Sequence, residues 1–119
     1  MEKFLLLIRE DLIQRENLSQ EEHYACIQTM TRWVESLAES INFEGGKPLL
    51  NNGRYVGRDY ILSDGPFIEA KESISGFIQI LAENLEQAAA IAQTCPLVVQ
   101  NAAAIEVRPI MSLPNEYSH

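Results

Sequence analysis

Two short stretches, Phe4-Leu5-Leu6-Leu7-Ile8 and Ile74-Ser75-Gly76-Phe77-Ile78-Gln79-Ile80-Leu81, carry apolar side chains at both odd and even positions. Continuous apolar runs of this length read as buried β-strands. Successive side chains of a strand point to opposite sides of its sheet, so Leu6 and Leu7 cannot be covered by the same layer. Both strands therefore need burial on two faces. Gly76, inside the second run, predicts a bulge or the close approach of another backbone.

The rest of the chain supplies cover for one face. Ser19-Gln20-Glu21-Glu22 is a capping box, in which the serine hydroxyl accepts from the backbone N–H three residues on and the glutamate reaches back. Tyr24, Ile27, Met30, Val34, Leu37 and Ile41 follow at three-and-four spacing and predict one buried helical stripe, with Trp33 on its flank. Asn42 and Gly45-Gly46 are the expected stop. The polar stretch Asp11 to Asn17 reads as a loop. Asn84-Leu85-Glu86-Gln87 opens a second helix with Leu85, Ala88, Ala89, Ala92 and Cys95 on one side, and Pro96 is expected to end it. Ala104 to Arg108 forms a last strand, and Pro109 marks an edge or a strand end.

Between the first helix and the second apolar strand, Lys47-Pro48-Leu49-Leu50 and Arg54 to Ser63 flank Asn51-Asn52-Gly53. Asn and Gly tolerate the positive φ of tight turns, so an antiparallel hairpin is expected there. Both of its faces are mixed, which places it near the sheet edge or projecting from it. Two strand–helix–strand passages around an inserted hairpin predict an α+β domain. Its antiparallel sheet is ferredoxin-like, with both helices on one face. A chain of 119 residues makes one domain, expected over 1–111 with a tail at 112–119. It has no second layer to spare, so a second copy stacked sheet on sheet is the expected cover for the remaining face, and a homodimer is predicted.

Charge narrows the function classes. With 17 acidic and 9 basic side chains the net charge is −8, and no Lys/Arg cluster with interleaved aromatics occurs, so nucleic acid is not an expected partner. No apolar run reaches membrane-spanning length or that of a secretory leader, which predicts a cytoplasmic protein with no membrane partner. Cys26 and Cys95 lack metal-ligand spacing and read as small buried apolar residues, so neither a metal nor another cofactor is expected.

The segment Ser63-Asp64-Gly65-Pro66-Phe67-Ile68-Glu69-Ala70-Lys71-Glu72 is the densest in distinctive residue types. Its Gly-Pro is a turn signal, and Asp64 can accept from backbone N–H groups just beyond it. Together with Ile74-Ser75-Gly76-Phe77, Gly45-Gly46-Lys47-Pro48-Leu49 and Glu106-Val107-Arg108-Pro109-Ile110, it resembles the DGPF branch of the YCII-related family. The resemblance implies a dimeric α+β barrel of ferredoxin-like subunits. Its implications for activity are fewer: one related member is associated with dehydrochlorination of an aromatic ring compound, some branches carry a His–Asp pair, and DGPF genes often accompany alternative sigma factors.

Asp64 is the candidate catalytic residue, as a proton or hydrogen-bond acceptor, and its structural alternative is fixing the turn. Lys71, Arg108, Glu69 and Trp33 are candidate ligand-binding residues. Their alternatives are ion pairing among Lys71, Arg108, Glu69, Glu72 and Glu106, and core packing for Trp33. The histidines, His23 and His119, are not expected to point into a cleft, so a His-based mechanism is not predicted. The leading expectation is a non-catalytic or regulatory homodimer that binds a small polar or cyclic molecule in a cleft. The alternative is a cofactor-independent, metal-free lyase or isomerase using Asp64.

Overall fold

The apolar residues of the two long strands sort onto two faces of one sheet, as their parity requires. A computed structural model describes residues 1–40, 43–50, 52–63 and 72–113. Along the chain run β1 (Glu2–Asp11), α1 (Leu12–Glu16), α2 (Gln20–Ala38), β2 (Phe43–Pro48), β3 (Arg54–Val56) and β4 (Ile61–Ser63). They are followed by β5 (Glu72–Ala82), α3 (Leu85–Gln93), α4 (Pro96–Val99) and β6 (Ala103–Pro109). Four strands form an antiparallel sheet in the order β2-β5-β1-β6, while β3 and β4 pair only with each other. This is the predicted ferredoxin-like arrangement with an inserted hairpin. None of the described helices is long and apolar enough to cross a membrane.

On one face, Phe4, Leu6 and Ile8 of β1 and Ile78, Ile80 and Ala82 of β5 are buried against Trp33 of α2, Ala88 and Ala92 of α3 and Leu97 of α4. Register brings Phe4 opposite Ile80 and Leu6 opposite Ile78. On the other face, Leu5 lies opposite Gln79 and Leu7 opposite Phe77, and all four are only half-buried. The same face receives Glu106 and Arg108 of β6, opposite Leu7 and Leu5.

The helices depart from the sequence reading in instructive ways. In α2 the capping box forms as expected: the Glu22 N–H donates to the Ser19 hydroxyl at 3.1 Å and the Ser19 N–H to the Glu22 carboxylate at 3.0 Å. The buried stripe, however, is centred on Trp33 with Cys26, Met30 and Leu37, whereas Tyr24 and Ile27 are more than 60% exposed. A full turn of α2 overhangs the sheet before the packed part begins. The helix ends at Ala38 with Glu39 as its cap, upstream of the expected stop, and Ile41 and Asn42 lie outside the described residues.

The stretch read as a loop contains α1, because Asp11 at the end of β1 caps it by accepting from the N–H groups of Ile13 and Gln14 at 2.9 and 3.1 Å. Pro96 does not end a helix; α3 stops at Gln93, and Pro96 opens α4 at the first-turn position proline favours.

Gly45-Gly46 proves to be strand. Gly46 runs so close to β5 that an added Cβ would overlap the Phe77 carbonyl and lie 3.0 Å from the Ile78 Cα, while Gly45 adopts φ +131° at the irregularity in the β2–β5 pairing. The hairpin also forms differently. Lys47 and Pro48 pair with Phe77 and Gly76 of β5, and the Leu49 N–H donates to the Ser75 carbonyl at 2.9 Å. The described hairpin turn joins β3 to β4 at Gly57 to Tyr60, inside the stretch expected to be its second strand. A long buried strand offers the 47–50 segment more pairing than an exposed ribbon can. Asn51 lies outside the described residues.

Candidate functional site

A bulge prepares the floor of the main cleft. Ile8 pairs with Gly76 and Arg9 with Ile74, which leaves Ser75 as an extra residue on β5. Bulges re-aim side chains, and the Ser75 side chain is buried with its hydroxyl 3.5 Å from the Ile8 carbonyl. Gly76 keeps the adjoining backbone low, because a Cβ there would come within 3.0 Å of the Lys47 carbonyl. Both devices predicted for Gly76, a neighbouring bulge and a close backbone, are present. Gly46, Pro48, Ser75 and Gly76 thus form a low stretch of floor near α2, which Ile8 and Ile78 also line.

Over this floor stands the overhanging part of α2. His23, Ile27, Met30 and Val34 follow one another at helical spacing along one side and line a cleft of about 360 Å³, to which Leu18 and Leu97 also contribute. That volume lies within the usual range of small-molecule sites, about 300–1,000 Å³. Cys26 and Thr31 complete the helical wall, and Glu10, Arg15, Glu35 and Lys47 supply charges. Arg15 and Glu10 approach to 3.9 Å with side chains 27% and 20% exposed. The interior is apolar with one buried hydroxyl, while an imidazole and charges of both signs lie along its walls. Such a cleft suits a small flat molecule with polar substituents.

The cleft cysteine, Cys26, is half-buried; Cys95 is fully buried beneath it, with its sulfur 3.6 Å from that of Met30, and burial pushes its thiol pKa up. Among the described residues no group of three or more His, Cys, Asp or Glu side chains is arranged to hold a metal ion.

The residues singled out from sequence lie apart from this cleft or outside the described chain. Asp64, Glu69 and Lys71 fall outside the described residues. Arg108 is on the opposite face of the sheet, where it donates to Glu106 at 3.2 Å. Glu106 also accepts from Arg9, through Nε at 3.1 Å and Nη2 at 2.8 Å, and these two arginines hold its carboxyl below the usual range, Arg9 more than Arg108. Trp33 is in the core, 7% exposed, and its indole N–H donates to the Thr94 hydroxyl at 3.0 Å. Arg108 and Trp33 are therefore not brought together, and neither lines the cleft.

His23 corrects the expectation that no histidine faces a cleft. It sits in the first turn of α2, four residues before Ile27 and seven before Met30, on the same side of the helix. That spacing was present in the sequence. It is concealed when Tyr24 is taken as the start of the buried stripe, because the stripe is then rotated away from His23.

The family model for the YCII-related domain matches residues 11–114. No curated protein matches the chain. Among solved structures, 5-chloro-2-hydroxyhydroquinone dehydrochlorinase from Burkholderia phenoliruptrix, in complex with 2,5-dihydroxybenzoquinone, is similar at 17% identity and a TM-score of 0.51. The match covers 89% of this chain and 90% of that one. At that identity the likeness is one of fold.

Proposed function

The chain belongs to the YCII-related domain family, and on that premise we propose that it binds a small polar or cyclic molecule in the cleft between α2 and the β2–β5 floor, as a non-catalytic or regulatory homodimer. The observation that carries this reading is the cleft itself, with its apolar wall from Ile27 to Val34, its buried Ser75 hydroxyl and its rim of Glu10, Arg15 and Lys47. A ring with hydroxyl or carbonyl substituents matches that lining, and the similar dehydrochlorinase holds such a ring, 2,5-dihydroxybenzoquinone. The Asp-Gly-Pro-Phe pattern at 64–67 supports the DGPF branch.

The homodimer is supported by the uncovered sheet face, where Leu5, Leu7, Phe77 and Leu81 remain half-buried and no described helix packs. Light scattering is expected to give twice the 13.4 kDa chain mass. Calorimetric titration with 2,5-dihydroxybenzoquinone, simple phenols and small carboxylates tests the cleft. At least one series should bind saturably to the wild type and fail to bind Thr31→Trp, which places a bulky ring at the exposed edge of the cleft. Equal binding by the two proteins, or none by either, overturns the assignment.

A second reading is favoured by one observation, the imidazole of His23 on the cleft wall. Imidazole is the commonest general acid or base near neutral pH, so a cofactor-independent, metal-free lyase or isomerase acting on a cyclic substrate is the alternative, with His23 joining Asp64 as a candidate. Turnover of a ring substrate that disappears in His23→Ala while binding persists would decide for catalysis. Binding without turnover in the wild type would decide against it.

A further inference from the structure

Among the described residues, the ribbon of β3 and β4 pairs with no other strand. Tyr55 stands opposite Leu62 and Val56 opposite Ile61, the Gly57 N–H donates to the Tyr60 carbonyl at 2.9 Å, and the rings of Tyr55 and Tyr60 stack at 6.3 Å between centroids. Gly57 permits this fold, since a Cβ there would collide with the Tyr60 ring. Neither strand joins the main sheet. A two-stranded hairpin alone in water is marginally stable and needs a surface to pack on. Here Val56 and Ile61 are 69% and 68% exposed, and Tyr60 and Leu62 about half exposed. Contiguous apolar exposure of this kind marks a docking element.

The chain carries a second exposed surface of complementary character. The overhanging turn of α2 presents Tyr24 and Ile27, 63% and 62% exposed, beside the exposed first-turn acids Glu21 and Glu22. The ribbon carries Arg54 and Arg58 against a single acid, Asp59, in a protein of net charge −8. Arg58 is 95% exposed and only 3.9 Å from Asp59, an ion pair too solvated to hold it. An apolar ribbon carrying Arg58 and an apolar, acidic helix edge are thus both exposed on one molecule. Two copies related by a twofold axis would satisfy both surfaces twice.

We propose that in the homodimer the β3–β4 ribbon of each copy docks on the α2 overhang of the other and roofs its cleft. The ligand site, lined on α2 by His23 and Ile27, is then complete only in the dimer. Val56, Tyr60 and Ile61 supply the apolar contact, and Arg58 faces the acidic helix edge. This rests on reading the cleft as the ligand site of a homodimer, and it adds that the partner contributes part of the wall.

Two differently tagged full-length chains test it, C26A/I27C and C26A/I61C, each with one accessible thiol because Cys95 is fully buried. After mixing and treatment with a short bismaleimide, a cross-linked product carrying both tags is expected. Its yield should fall several-fold when Arg58→Glu is added to the second chain. A dimer mass by light scattering without the two-tag product would overturn the ribbon exchange and leave the dimer standing. A C26A/I27C/I61C chain that cross-links only within itself would assign the ribbon to its own cleft. A wild-type chain of monomer mass would remove both the exchange and the dimer.

Discussion

β1 has one backbone and two unlike faces. Phe4, Leu6 and Ile8 are at most 5% exposed under the helices, and their neighbours Leu5 and Leu7 are half-buried on the side no described helix covers. The covered face is uniformly apolar. The other mixes leucines and Phe77 with a charged cluster, Arg9–Glu106–Arg108, in which one carboxylate holds guanidinium groups from two strands. The contrast separates, on alternate residues of one strand, a face that folding buries from a face left for the proposed dimer contact. In the proposed homodimer, that charged cluster would set the alignment of the two copies.

The contrast is broken most severely on the covered side. Leu6→Ala removes a fully buried side chain and should cost about 2–5 kcal/mol, read as a lower urea midpoint, whereas Leu7→Ala should cost markedly less at protein concentrations too low for assembly. Next in size is Gly46→Ala at the β2–β5 seam. The added methyl meets backbone rather than a movable side chain, and overpacking of that kind costs about 1–3 kcal/mol. Leu7→Asp sharpens the comparison in the opposite direction. It should leave the far-ultraviolet circular dichroism of the chain unchanged while light scattering falls to the 13.4 kDa monomer mass.

The smallest effect concerns pH. The folded-state pKa of Glu106 lies below its ordinary value of 4.5, with the Arg9 side chain as first cause. Its contribution is therefore complete above about that pH and is lost as pH falls through the depressed folded value. Glu106→Gln should lower stability slightly at neutral pH, where that contribution is complete, and converge with the wild type in acid, which flattens the acid limb; urea midpoints measured from neutral pH down into the acid limb check it.

Much of the fold was legible because local chemistry and global arrangement agree. The Ser19–Glu22 box, the Asn84 cap, the two-faced strands and Pro109 at the end of edge strand β6 each point to the element that forms. The misreadings share a cause, which is that tertiary pairing outweighed a local signal. Gly45-Gly46 resembles a helix stop, yet its lack of side chains serves the contact with β5. Asn52-Gly53 resembles a hairpin turn, yet the strand before it is committed to Gly76 and Phe77.

The site was less legible. A cleft arises from what α2 fails to cover, and periodicity reports only which residues are apolar. Ile27 is apolar and exposed because the sheet beneath it carries Gly46 and Gly76. Those positions are more than twenty and more than fifty residues from Tyr24 and His23, separations no local pattern spans.

Trp33 is the only tryptophan in the chain, and its indole is sealed between α2 and the end of α3 by its bond to Thr94. The protein thus carries an intrinsic fluorophore within its core. Its emission should report the loss of the helical layer with little background. Trp33 itself is not among the residues that line the cleft, and it lies on neither the β3–β4 ribbon nor the open sheet face. A shift of its emission to longer wavelength would therefore indicate loosening of the interior, whereas quenching without a shift would report a ligand held beside Met30 and Val34.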